Sequence, residues 1–191
     1  MNNIIKKHIL KIPKNTSIYY CSDNQIVIVS NLQHYKVFKL KTKLIVKKAH
    51  KIIKVTRIPF FKISNNYQKK LKAIQATQVT LLKQLFLDNS SKFCKKLKLV
   101  GVGFRVSTFE ILTNNFLHFK LGYSHSIYFK IPKNLKTFCM KSNTLFIVGD
   151  SYSFVTQIAA LIKSLKIPEL YKGKGILYTT EKIILKEGKK V

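Results

Sequence analysis

Near its C-terminus the chain reads Pro168-Glu169-Leu170-Tyr171-Lys172-Gly173-Lys174-Gly175-Ile176. Lysines alternating with glycines suit contact with an anion. Glycine lets the backbone approach a partner closely, and each ammonium brings a point charge to it. Tyr171 adds a ring able to stack on a base or sugar. Further on, Lys182, Lys186, Lys189 and Lys190 make a basic tail, expected to be mobile or ordered by RNA. Tyr171, Lys172, Gly173, Lys174, Gly175 and the four tail lysines are therefore candidate RNA contacts.

Catalytic chemistry finds less support. The seven acids are Asp23, Asp88, Glu110, Asp150, Glu169, Glu181 and Glu187, too scattered for the carboxylate cluster of a metal-dependent nuclease. His8, His34, His50, His118 and His125 have no metal-ligand spacing. Cys21, Cys94 and Cys139 form no C-x-x-C pair and read as buried, reduced thiols of a reducing compartment. Gly101-Val102-Gly103 lacks the third glycine of a dinucleotide loop. It reads as strand, the glycines permitting close packing or a bulge. His125, following Gly122-Tyr123-Ser124 at a strand end, is the histidine of interest. The expectation is a non-enzyme with no metal, cofactor or small-molecule substrate.

Charge points the same way. Lys+Arg number 36 against 7 Asp+Glu, a formal net charge of +29. A compact chain with that charge repels itself, so a partner should supply the counter-charge. Nucleic acid and an anionic membrane surface are the two classes to weigh. Arg57 and Arg105 are the arginines and the other basic residues are lysines, which favours phosphate neutralisation over base reading. AT-rich coding would raise lysine as well. Apolar runs such as Ile26–Val29 and Leu145–Val148 fall far short of the ~18 residues of a membrane span. The helix expected at Ser151–Lys166 is nearly uncharged until Lys163, unlike an interfacial helix with a cationic face. No cleavable leader is read at the N-terminus.

The elements that must position these residues form an internal repeat. Ile12-Pro13-Lys14-Asn15 recurs as Ile131-Pro132-Lys133-Asn134, and in the same register Asn24, Ile28 and Val29 match Asn143, Ile147 and Val148. Each copy reads as a hairpin followed by a helix. The hairpins are Thr16–Cys21 with Gln25–Ser30, and Leu135–Met140 with Thr144–Val148. The first helix is expected over Gln68–Leu87, with core positions Leu71, Ile74, Leu81 and Leu85 interrupted by Gln78. The second carries Val155, Ile158, Ala159, Ile162 and Leu165, with Asp150 as N-cap and Pro168 as stop. Val37–Leu40, Lys43–Val46 and Ile52–Val55 are short strands within an insertion at 31–67. Leu97–Val106, Phe116–Leu121 and Ile127–Ile131 are strands ahead of the second hairpin. The fold class is α+β: two tandem duplicated domains, each an antiparallel sheet with one helix packed on a face. They span 1–90, with the insertion, and 91–191, with the basic tail.

Several stretches resemble one family. Pro168 through Ile176, then Tyr178, Glu181 and Lys186-Glu187-Gly188-Lys189-Lys190, resemble the C-terminal signature of the bacterial-type large-subunit ribosomal protein numbered six. Leu99-Val100-Gly101-Val102-Gly103-Phe104-Arg105 is similar to that family's central strand, Leu121-Gly122-Tyr123-Ser124-His125 to its next loop, and Ile12-Pro13 to its N-terminal region. The resemblance covers about 9–30 and 69–190. It implies a duplicated α+β structural protein, not an enzyme, bound to large-subunit ribosomal RNA near the sarcin–ricin loop and stalk base, beside neighbouring ribosomal proteins. It adds Ser124 and His125 to the candidate RNA contacts. Three positions depart: Leu177 replaces the family's Arg, so that phosphate contact does not carry over, and Ser126 and Leu170 stand where Pro is usual. The expected setting is the mitochondrial matrix, with an organelle-encoded chain, ahead of a plastid or a bacterial cytoplasm. The alternatives are a peripheral membrane-surface protein and an RNA-binding protein outside the ribosome.

Overall fold

Short antiparallel strands, most with alternate residues turned inward, make up the larger part of the regular structure. The computed structural model describes residues 8–14, 16–31, 35–47, 49–61, 64–111 and 114–188. They fall into two units, Met1–Ser91 and Lys92–Val191. The first holds β1 (Ile9–Lys11), β2 (Ser17–Cys21), β3 (Ile26–Ser30), β4 (Tyr35–Lys39), β5 (Thr42–Lys47), β6 (Ile52–Pro59) and α1 (Asn65–Ser90). The second holds β7 (Phe93–Val100), β8 (Arg105–Ile111), β9 (Asn114–Lys120), β10 (Ile127–Lys130), β11 (Leu135–Met140), β12 (Thr144–Gly149), α2 (Tyr152–Ser164) and β13 (Gly175–Tyr178). The α+β duplication is present. Each unit divides its strands between two sheets rather than one: β1-β6-β5 with β2-β3-β4, and β11-β12-β7-β13 with β10-β9-β8.

These strand orders define the repeat. β1, β6 and β5 correspond to β7, β12 and β11, while β2-β3-β4 corresponds to β8-β9-β10. Hydrogen bonds outside the ladders repeat in that register. Leu40 N–H donates to Gln25 C=O at 2.7 Å and Ile131 N–H to Asn115 C=O at 2.9 Å; Ile12 N–H donates to Lys51 C=O and Leu99 N–H to Asn143 C=O, both at 2.8 Å. Buried pairs repeat too: Val27 and Val29 answer Leu117 and Phe119, and Ile53 and Val55 answer Leu145 and Ile147. The register read from Ile-Pro-Lys-Asn is thereby corrected. That string makes the same local turn twice, Thr16 N–H to Pro13 C=O and Leu135 N–H to Pro132 C=O, at non-equivalent places. Segment 31–67, read as an insertion, supplies β4–β6, the counterparts of β10–β12.

Each unit has its own core. In the first, α1 lays Leu82 and Phe86 against Val27, Val29, Leu44, Ile53 and Val55. The expected stripe is rotated: Leu81 is exposed, while Gln75 and Gln78 are buried. The Gln75 amide is bonded at both ends, whereas Gln78 is bonded through its oxygen and its buried Nε2 has no partner among the described residues. Gln75 Nε2 donates to Val55 C=O at 2.6 Å and its Oε1 accepts from Arg57 Nε at 3.0 Å, while Thr42 Oγ1 donates to Gln78 Oε1 at 2.5 Å. In the second unit α2 buries Val155, Ile158, Ala159 and Ile162 against β7, β12 and β13. Ser151, not Asp150, is the N-cap, its C=O accepting from Val155 N–H at 3.0 Å. Cys21 and Cys94 are exposed and Cys139 half-buried, so the expectation of buried thiols is corrected for the first two. Burial raises the Cys139 pKa.

β13 was not foreseen. It pairs antiparallel with β7, Ile176 opposite Leu99, and shields an otherwise open sheet edge. Two contacts fix the segments around it. A Cβ at Gly175 would stand 2.5 Å from Pro168 Cα, so only glycine lets the backbones cross here. Downstream, Lys163 Nζ bonds Glu181 Oε1 at 2.6 Å, and Tyr178 N–H donates to Glu181 Oε2 at 3.3 Å. These bonds, that to Lys163 first, hold the Glu181 carboxyl below the ordinary carboxylate range. A depressed folded-state pKa stabilises at pH above that range and is lost as pH falls through it. Gly175→Ala is therefore expected to cost about 1–3 kcal/mol in chemical denaturation, because backbone would have to move. Acidification below about pH 4 is expected to weaken amide-exchange protection at Tyr178, and Glu181→Gln is expected to remove that pH dependence.

Candidate functional site

Three loops of the second unit meet around one ring. β7 stops at Val100 and β8 starts at Arg105, so the continuous strand expected over Leu97–Val106 is broken by a turn. Phe104 N–H donates to Gly101 C=O at 3.3 Å across it. The break has a packing cause. The Phe104 ring is buried, and a Cβ at Gly101 would stand 2.9 Å from it and one at Gly122 3.1 Å. Gly101 and Gly122 thus clear space from two loops for the same side chain. Val102, at the tip of the turn, is 91% exposed.

The loop after β9 lies over this floor. Tyr123 stacks on His125, with ring centroids 5.9 Å apart and planes 18° off parallel. Its Oη donates to Leu165 C=O at 3.1 Å. Lys166 Nζ stands 4.2 Å from the Tyr123 ring centroid, within cation–π range. The loop is thereby tied to the end of α2, and Ser124 and His125 remain exposed. The three segments enclose an open cleft of about 740 Å³, lined by Val102, Phe104, Tyr123, Lys166, Glu169 and Lys174 among others.

The segment from Lys166 to Gly175 is ordered by its own backbone. Gly173 N–H donates to Glu169 C=O at 2.9 Å and Glu169 N–H to Lys174 C=O at 3.0 Å. Gly173 has φ +67, a left-handed conformation that glycine adopts without cost. This compact loop points Tyr171 and Lys172 to solvent and leaves Lys174 half-buried beside the cleft. Of the expected contacts, Tyr171, Lys172, Gly173, Lys174 and Gly175 share one loop, and Ser124 and His125 belong to the loop joined to it through Tyr123 and Lys166. Lys182 and Lys186 are exposed on the stretch after β13. That stretch is fastened at Lys186, whose N–H donates to Leu170 C=O at 3.0 Å. Lys189 and Lys190 lie outside the described residues.

Tyr123, Phe104 and Lys166 were not among the expected site residues. Tyr123 stood inside the quoted Gly122–His125 motif and could have been taken from it. Lys166 carried no local signal, being one more lysine at a helix end. Among the described residues no group of three or more His, Cys, Asp or Glu is placed to hold a metal ion. Among the same residues no helix is long and apolar enough to cross a membrane.

No protein-family model matches the chain. Individual relatives do. It is 38% identical over 117 residues to Large ribosomal subunit protein uL6m of Prototheca wickerhamii, covering 58% of this chain and 60% of that protein. With Large ribosomal subunit protein uL6 of Buchnera aphidicola subsp. Acyrthosiphon pisum it shares 41% over 114 residues, 60% of this chain and 62% of the relative. The match thus spans less than two thirds of the length of either. The uL6 protein of Mesoplasma florum is matched nearly end to end, 35% identical over 186 residues, 97% of this chain and 96% of that protein. A likeness sustained across both units places the chain in the uL6 family of large ribosomal subunit proteins.

Proposed function

We propose that the second unit grips folded large-subunit ribosomal RNA through the cleft and the loop beside it, near the sarcin–ricin loop and stalk base, with neighbouring ribosomal proteins alongside. The observation that carries this reading is the convergence of three loops on Phe104 and Tyr123, which brings Lys166 and Lys174 to one cleft, with exposed His125 stacked on Tyr123 and exposed Tyr171 and Lys172 on the loop that carries Lys174. Ammonium groups neutralise phosphates, rings offer faces to bases or sugars, and the ordered backbone sets their spacing. Ser124, Lys182, Lys186, Lys189 and Lys190 extend the contact. The role is structural, and no step of catalysis enters it. The mitochondrial ribosome is the setting we favour, supported by the relatives named uL6m. A membrane-surface role is disfavoured because the apolar residues of α2 are spent on the core.

Binding of this kind releases counterions, so affinity falls steeply with salt. Lys172→Glu with Lys174→Glu is expected to leave the fold intact and to reduce incorporation into large subunits at least tenfold in sedimentation. Alanine at both positions is expected to lower the slope of log affinity against log salt by about 2, one per lost phosphate contact. Normal incorporation of the double glutamate variant would remove this loop from the interface.

A further inference from the structure

The sheet β10-β9-β8 has two different faces. One is core: Val106, Leu117 and Phe119 are buried, with Ile127 and Phe129 packed against them. The other carries rings that no core requires. Strand register places Ser107, His118 and Tyr128 in one row and Phe109, Phe116 and Lys130 in the next. Phe109 stacks on Phe116 at 5.6 Å and 16°, His118 stacks on Tyr128 at 5.1 Å and 29°, and Tyr128 meets Phe109 edge-on at 5.8 Å. Tyr128 is 64% exposed.

Charge frames the rings. Arg105 lies directly opposite Lys120, both exposed, and Lys130 is exposed beside Phe116. Like charges in a cross-strand pair destabilise a sheet unless something compensates them. No carboxylate occupies an alternate position on this face: β8 presents Arg105, Ser107, Phe109 and Ile111, β9 presents Asn114, Phe116, His118 and Lys120, and β10 presents Tyr128 and Lys130. The equivalent face of β2-β3-β4 also bears exposed Tyr19, Tyr35 and Lys39, but its central row sets Tyr19 beside Ile28 and Val37 rather than beside a second ring. What sets the second unit's face apart is four rings in mutual contact with three cations around them, in the unit where the other candidate RNA contacts also lie.

We propose that this face is a second RNA contact, a platform on which unpaired bases stack while Arg105, Lys120 and Lys130 take the adjoining phosphates. It rests on the reading of the second unit as an RNA binder, and it names the class of RNA: single-stranded or looped, since bases stacked within a duplex do not expose their faces to a sheet. A protein occupant would have to bring its own acids and flat apolar groups. RNA brings both in every nucleotide.

The test uses the full chain and two probes, an oligouridine of about 12 nucleotides and a fully paired hairpin of similar length. Tyr128→Ala is expected to weaken oligouridine binding roughly five- to hundredfold and hairpin binding less than twofold, with Tyr128→Phe close to the unaltered chain. On the unaltered chain, oligouridine should shift the His118 and Tyr128 ring resonances upfield, a readout that does not depend on any variant folding. Equal losses for both probes, an unaffected Tyr128→Ala variant, or unmoved ring resonances would each overturn the platform. So would a photo-crosslinker at position 128 that captures only protein in assembled large subunits. The Lys172→Glu, Lys174→Glu variant separates this inference from the broader one. If it loses hairpin binding while Tyr128→Ala is silent, only the platform fails; if neither variant alters RNA binding, the broader reading fails too.

Discussion

With 36 basic and 7 acidic side chains, this chain cannot neutralise itself by ion pairing, and much of its architecture follows from that shortage. Two carboxylates are placed where they fasten elements: Asp88 of α1 against Lys36 at 3.4 Å, and Glu181 after β13 against Lys163 at 2.6 Å. Rings of the second unit add to this, for Lys163 beside its acid and for the other three lysines without one among the described residues. Lys95 lies over Tyr152, Lys96 over Phe146, Lys163 over Tyr178 and Lys166 over Tyr123, at 5.6, 5.2, 5.2 and 4.2 Å. Such contacts contribute about 0.5–1 kcal/mol each when exposed, enough to orient a lysine but far from enough to cancel its charge. The remaining field has to be met from outside the chain, which is the physical case for a polyanionic partner.

The parts of the fold that could be read from the residues are those whose signal is local. Short runs rich in Ile, Val, Phe and Tyr between polar or Pro-containing turns mark strands, and β2, β3, β9, β10, β11 and β12 were all legible within a residue or two. Helix α1 misled for the opposite reason. Its inner face carries Gln75 and Gln78, which look like surface residues until Val55 C=O and Thr42 are placed beside them, and Leu81 looks like core until the helix is rotated accordingly. No periodicity can supply those partners, because they come from strands far away in sequence.

The repeat shows a second limit. A shared tetrapeptide fixed the wrong register because Pro and its neighbours encode a turn, and turns are local. True equivalence lay in which strands pair, a non-local property visible only as matched bonds such as Leu40 to Gln25 and Ile131 to Asn115. The candidate site was legible in the same partial way. Tyr171–Gly175 announced itself by composition, and Ser124 and His125 by resemblance. That Lys166 joins the two loops depends on where α2 ends relative to β9, which spacing along the chain does not encode.

Comparing the two units shows what sets the second apart. In the first unit the connection after β1 is the Pro13 turn, and the chain leaves α1 directly for β7. In the second, the equivalent connection after β7 holds Gly101 and Gly103, and the chain continues beyond α2 into a further strand. That continuation does two things at once. β13 closes the edge of β7 that the first unit leaves to the short β1, and the crossing of Gly175 over Pro168 forces Lys166–Lys174 back toward the Phe104 cleft. The added strand is thus both an edge cover and the device that carries the lysine–glycine loop to its place. A loop of that composition on a free tail would lose its spacing to chain entropy. Held between α2 and a sheet edge, its charges keep a fixed spacing.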